Sequence, residues 1–195
     1  MKILITGFKP FNNEKLNPAE EILKLYYNDE YEIDKLKLDV LYDTDAKLVK
    51  SMLKNNYDLV ILLGQAGGRA KIALEYFALN MKDCNIPDNN NVYYHHIPIN
   101  PKGNICYKTN INLEKVINDI KSDDIMISYH AGCFICNDLF YNSLEYIYEN
   151  DLNTKCVFIH FPFIKEQIEN KPNMPYMELN DILSLLGKII DSILK

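Results

Sequence analysis

No stretch of this sequence gathers lysine and arginine into a basic patch, and 21 Lys and Arg against 27 Asp and Glu leave a formal net charge of −6. That balance disfavours a nucleic-acid partner. Long apolar runs are also missing. The last helical segment, "ILSLLGKIIDSIL", is interrupted by Lys188 and Asp191, so no membrane association is expected. The opening "MKILITGF" has one Lys and an apolar run too short for a secretory signal, and it alternates like a strand. The five cysteines (Cys84, Cys106, Cys133, Cys136 and Cys156) are odd in number and do not suggest a disulfide framework. They read as reduced thiols in a cytoplasmic protein. Neither a repeat nor a linker interrupts the 195 residues, and a hydrophobic share of 48% with 25% charged residues is ordinary for a globular chain. One domain over residues 1–195 is the expectation.

What is present alternates between two periods. "KILIT" reads as a buried strand, and "NPAEEILKLYY" as a helix with Asn17 as its cap and Pro18 at its first position, where a missing N–H costs nothing. "YEIDKLKLDVL" alternates like a strand, "TDAKLVKSMLKNN" is helical with Thr44 as a candidate cap, and "DLVILLG" is a fully buried strand. "AKIALEYFALN" reads as a strand from its bulky apolar alternation, and "VYYHHIPIN" as extended because Pro98 would break a helix. Strand "DIMISY", helix "NDLFYNSLEYIY", strand "CVFIHF" and a helix over 178–194 complete the chain. The alternation predicts a three-layer α/β/α fold around a mostly parallel sheet.

In such sheets ligands bind beyond the carboxyl ends of strands. Three segments lie there: the Gly-rich loop after "DLVILLG", the turn "YHAGCFICN", and His160 near the end of "CVFIH". Cys136 falls in the first turn of a helix, whose free N–H groups and dipole stabilise a thiolate; such sites lower a thiol from about 8.5 into roughly the 3.5–7.5 range. A nucleophilic thiol needs a base, and two adjacent crossover strands would bring His160 to it. Glu75, a carboxylate inside an apolar segment, either pairs with a Lys or Arg or accepts the second imidazole N–H of His160. Two rival chemistries use the same turn. Cys133 and Cys136 form a C-x-x-C that enters a helix, as in thiol redox proteins, and His130, Cys133, Cys136 and His160 are conceivable zinc ligands.

"TGFKPF", "NP", "GQAGGR" with a Glu six residues after its Arg, "NIPDN", "AGCFICN" and "FIHFPFIKEQ" appear in an order that resembles the pyroglutamyl-peptidase I (pyrrolidone-carboxylate peptidase) family, from residue 5 to about 167. Ser128 to Asn137 fits the signature around that family's nucleophile. The resemblance implies a thiol peptidase, without metal or organic cofactor, that removes N-terminal pyroglutamyl residues from peptides. By motif, Cys136 is its nucleophile, His160 its general base and acid, and Glu75 the residue that orients the histidine, while Cys133 falls at a variable position. It also places Phe8 and Phe11 around the lactam ring, with Ile135 and the loop at Gln65 lining the pocket. An aromatic sandwich suits a flat, neutral lactam and disfavours a charged N-terminus. Relatives of this kind are commonly homo-oligomers. At Asn85 the chain departs from the family, which usually carries an Arg suspected of helping the oxyanion or the Glu. Retention of the pocket without turnover, giving a pyroglutamyl-peptide binding protein, is the reading this departure raises.

Overall fold

The computed structural model describes residues 1–195. Strands β1 (Lys2–Phe8), β2 (Glu32–Leu38) and β3 (Leu59–Gln65) alternate with helices α1 (Pro18–Leu25) and α2 (Thr44–Leu53). Then come β4 (Ile72–Leu79), β5 (Cys106–Lys108), α3 (Leu113–Ile120), β6 (Ile125–His130), α4 (Ile135–Glu149) and β7 (Lys155–Phe161). Two short strands, β8 (Phe163–Ile164) and β9 (Tyr176–Met177), precede α5 (Leu179–Leu194). The seven-stranded sheet runs β2-β1-β3-β7-β4-β5, with β6 also paired to β4. β2, β1, β3 and β7 are mutually parallel, β6 is parallel to β4, and β4 joins β7 and β5 antiparallel.

Strand periodicity sorts the core into two layers. Ile3, Ile5, Ile61 and Leu63 point to the face covered by α1, α3 and α5, whereas Leu4, Val60, Leu62 and Phe158 point to α2 and α4. Both faces of the central strands are sealed, which is why "LVILL" contains no polar position. At the start of α1 the Asn17 side chain accepts from the Ala19 N–H at 3.0 Å, with Pro18 following it as the spacing predicts.

The segment "VYYHHIPIN" contains no helix, and its Ile97 pairs with Lys82 in an isolated antiparallel bridge. Three local expectations are corrected. The cap of α2 is Asp43, at a φ of 58°, and Thr44 is already helical. Helix α4 begins at Ile135 rather than Asn137, so Cys136 is its second residue. Finally, β6 and β7 are not neighbours, because β4 lies between them.

Candidate active site

That insertion of β4 decides how the site is assembled. His160 on β7 sits in register with Gly64 of β3 on one side and Ala73 of β4 on the other. Glu75 lies two residues beyond Ala73, so period-two alternation turns its side chain to the same face as His160. Its carboxylate accepts from the imidazole: His160 Nδ1 and Glu75 Oε1 are 2.7 Å apart. With Nδ1–H committed to the carboxylate, Nε2 is left as the basic nitrogen. His160 is 5% exposed and Glu75 is fully buried.

Helix α4 crosses the same face and delivers Cys136 from above. A Cβ added at Gly64 would meet the Phe158 ring at 2.8 Å and Cys136 Sγ at 3.1 Å. The thiol therefore rests over Gly64, on the strand next to His160, and the ring of Phe158 packs at 4.7 Å from the imidazole. Although the residue keeps some exposed surface, the protein around it desolvates the sulfur. This burial, with the Glu75 charge adding to it, pushes the Cys136 thiol up to about 12, against the pull of its helix N–H and of Arg69. The direction is opposite to the expectation from helix position. Desolvation outweighs that pull.

Glu75 has a second partner. Arg69, the only arginine in the chain, places Nη1 at 2.9 Å from the same Oε1 and at 3.3 Å from Ser128 Oγ. The other oxygen, Oε2, is buried with no partner. Both candidate roles for Glu75, ion pair and histidine acceptor, are thus realised at one atom.

Cys133 precedes the helix. Its carbonyl accepts from the Asp83 N–H at 3.0 Å, and burial raises its thiol as well. Cys133 and Cys136 are both free thiols, not joined by a disulfide. Nor do His130, Cys133, Cys136 and His160 converge: nowhere do three or more His, Cys, Asp or Glu side chains gather to hold a metal ion.

An aromatic wall flanks the thiol. Phe11, half-buried in the loop after β1, lies 5.9 Å from Phe134, which meets Tyr42 edge-on at 5.7 Å; Tyr42 meets Tyr94 at 5.1 Å. Phe8 and Ile135 are buried in the core layer under α4. Gln65 ends β3, and its side-chain oxygen accepts from Gln167 at 2.8 Å, while the same Gln167 amide reaches the Leu16 carbonyl at 3.0 Å. Asp88 and Asn89 of "NIPDN" act as a clasp. Asp88 accepts from the N–H groups of Asn90, Val92 and Tyr42, and Asn89 donates to the carbonyls of Asp39 and Pro10. Asn85, earlier in the same loop, is exposed.

Over residues 1–195 the chain matches the family model for pyroglutamyl peptidase. The chain belongs to the pyroglutamyl peptidase family. It is 38% identical over its whole length to pyrrolidone-carboxylate peptidase 1 of Caldanaerobacter subterraneus subsp. tengcongensis, covering 98% of that protein. To the pyrrolidone-carboxylate peptidase of Brachyspira hyodysenteriae it is 41% identical, with 97% of each chain covered. The crystal structure of pyroglutamyl peptidase I from Bacillus amyloliquefaciens superposes with a TM-score of 0.91 at 30% identity, over 98% of this chain and 94% of that one. A variant of the Pyrococcus furiosus pyrrolidone carboxyl peptidase superposes at 0.93 and 29% identity, over 100% and 98%. The activity of this family is that of a cysteine peptidase, which the thiol, imidazole and carboxylate described above suit.

Reading the motifs alone passes over Phe134, Tyr42, Arg69 and Gln167. Arg69 and Gln167 stand inside motif segments, "GQAGGR" and "FIKEQ", but their partners become visible only when distant strands meet. Tyr42 has no sequence signal.

Proposed function

We propose that Cys136, His160 and Glu75 are the catalytic residues with which this peptidase removes N-terminal pyroglutamyl residues from peptides. The observation that carries the assignment is the 2.7 Å His160–Glu75 hydrogen bond, buried on the face where Cys136 Sγ lies over Gly64. Burial raises the Cys136 thiol, so the thiol needs a base beside it to give up its proton. As Sγ attacks the pyroglutamyl carbonyl, its proton passes to His160 Nε2, and Glu75 stabilises the imidazolium. The tetrahedral oxyanion faces backbone N–H groups at the start of α4. Collapse breaks the C–N bond, His160 returns the proton to the leaving amine, and a thioester remains. Water, deprotonated by His160, then releases pyroglutamate and restores the thiol.

Phe8, Phe11, Ile135 and Gln65 form the proposed pyroglutamyl subsite, with Phe134 and Tyr42 extending its aromatic wall. No cofactor is required by this scheme. Residues 1–195 act as one peptidase domain. Five free cysteines fit a reducing cytoplasm, and no helix is long and apolar enough to cross a membrane. A homo-oligomer is the proposed assembly, supported by Met126 and Tyr129, exposed at 40% and 73% on β6, a strand with one sheet neighbour. Light scattering on the purified chain tests this, a monomer at all concentrations contradicting it. The catalytic assignment is tested by release of a fluorogenic amine from its pyroglutamyl amide, which Cys136→Ser must abolish.

A further inference from the structure

Glu75 presents an electrostatic problem that the His160 contact does not solve. A fully buried carboxylate needs a positive partner, and a neutral imidazole is not one. The imidazole supplies that charge only when both of its nitrogens carry protons. Were Glu75 to take up a proton, its O–H would donate to Nδ1. The imidazole hydrogen would then stand on Nε2, and the nitrogen that must accept the thiol proton would be occupied.

Arg69 supplies the missing charge. Its guanidinium lies 2.9 Å from Glu75 Oε1, the same atom that receives His160 Nδ1 at 2.7 Å. A tight turn brings it there: the Arg69 N–H donates to the Ala66 carbonyl at 3.2 Å, and Gly68 adopts a φ of 88°. The side chain enters from the surface, 35% exposed, and ends on a carboxylate with no exposure at all. Ser128, in register with Glu75 on the neighbouring strand, receives the same Nη1 at 3.3 Å and limits its swing. Twenty of the 21 basic side chains in this protein are lysines; the single guanidinium, which does not lose its proton, stands here.

We propose that Arg69 is a positioning residue of the reaction: it holds Glu75 as an oriented anion against His160 Nδ1, so that Nε2 faces Cys136 as an acceptor. The inference rests on the catalytic assignment above. With Arg69 in place, the thiolate–imidazolium state formed on attack carries two negative and two positive charges; without it, the cluster carries an uncompensated buried anion beside a second one. Besides His160, the groups facing Cys136 are Glu75 from β4, Arg69 from the β3–β4 turn, Cys84 from the β4–β5 connection and Tyr42 from the β2–α2 loop. Of these, Arg69 alone carries a permanent positive charge.

The test uses the full chain with Arg69→Met, Arg69→Gln and Arg69→Lys. Two readouts are taken: steady-state hydrolysis of a pyroglutamyl amide, and the pH dependence of Cys136 alkylation by iodoacetamide, followed by peptide mass spectrometry. Met and Gln should lower kcat by about 10- to 100-fold, by analogy with the outer partners that orient metal-bound ligands. KM should stay within about threefold, because the substrate is not touched. Alkylation should shift to higher pH in both variants, and Lys should recover most of each property. Arg69→Gln keeps a donor without the charge and decides the matter if Arg69→Met does not fold. Unchanged kcat and superimposable alkylation profiles would overturn the proposal, as would a loss confined to KM. Alkylation needs no substrate, so a shifted profile in a protein without pyroglutamyl hydrolysis would uphold Arg69 and sink the peptidase assignment alone.

Discussion

Gly64 bears no side chain because the space above it is occupied. A methyl group there would sit 2.8 Å from the Phe158 ring and 3.1 Å from Cys136 Sγ. Gly64→Ala should therefore displace the thiol and destabilise the fold by about 1–3 kcal/mol, the usual cost of overpacking. Loss of kcat together with a lower urea midpoint checks it; an active, equally stable variant would mean that Sγ lies elsewhere. Cys136→Ser should lower kcat by at least about a thousandfold, and Cys133→Ser, whose residue contributes a backbone carbonyl rather than its thiol to the loop contact, should retain most activity. Equal losses in the two serine variants would revive a paired-thiol mechanism. Glu75→Gln should fold and lose up to about ten-thousandfold, as when the orienting carboxylate of a triad becomes an amide. At the exposed Asn85, the oxyanion donors at the start of α4 are unaffected, so the wild type should turn over and Asn85→Arg should gain no more than about tenfold. An inactive wild type rescued by Asn85→Arg would mark a disabled enzyme that only binds its peptide.

At the scale of elements, α4 is fixed to the sheet by the residue after Cys136. The fully buried Asn137 accepts from the Leu79 N–H at 2.8 Å and donates to the carbonyls of Leu79 and Met81 at 2.8 and 2.9 Å. Asn137→Ala removes the side-chain partner of the Leu79 N–H and of the Met81 carbonyl, each worth about 1–3 kcal/mol if left unpaired, whereas the Leu79 carbonyl keeps the Met81 N–H at 2.8 Å. The expected loss exceeds about 2 kcal/mol in urea unfolding; a loss below about 0.5 would show that the helix start is held by other contacts. Elements of this length and burial are readable from the sequence: Ile3–Ile5, Leu59–Leu63 and Cys156–Ile159 are unbroken apolar runs because both faces of their strands are covered. The two- and three-residue strands β5, β8 and β9 were not, since so few residues carry no period. Motif order singled out Cys136, His160 and Glu75, which the fold brings to one face of the sheet. The placement of β4 between β6 and β7, which lets Glu75 reach His160, depends on pairings between residues far apart in the chain and has no local signature. Arg69 was hidden for the same reason, and the raised Cys136 thiol reflects a desolvation that helix position does not report.

For the whole molecule, the buried thiols set an alkaline limit. Burial raises Cys136 from an ordinary 9.0 to about 12 and moves Cys156 in the same direction, so the folded state holds these protons more tightly than the unfolded chain. Their contribution is complete below the unfolded value and is lost as pH rises from about 9 toward the folded value. Urea stability should fall between pH of about 8 and 10.5, and a flat profile would contradict the burial of both sulfurs. On the proposed subsite, function at this scale is a choice among N-termini: Phe11, Phe134 and Tyr42 pack on one another, and an apolar surface of this kind would take a neutral lactam at less desolvation cost than an ammonium. The most direct measurement is amine release from a pyroglutamyl amide and from the corresponding prolyl amide, by the wild type and by Cys136→Ser. The account predicts rapid release from the pyroglutamyl amide alone, and none with Cys136→Ser. Comparable rates on both amides, or full activity in the serine variant, would contradict it.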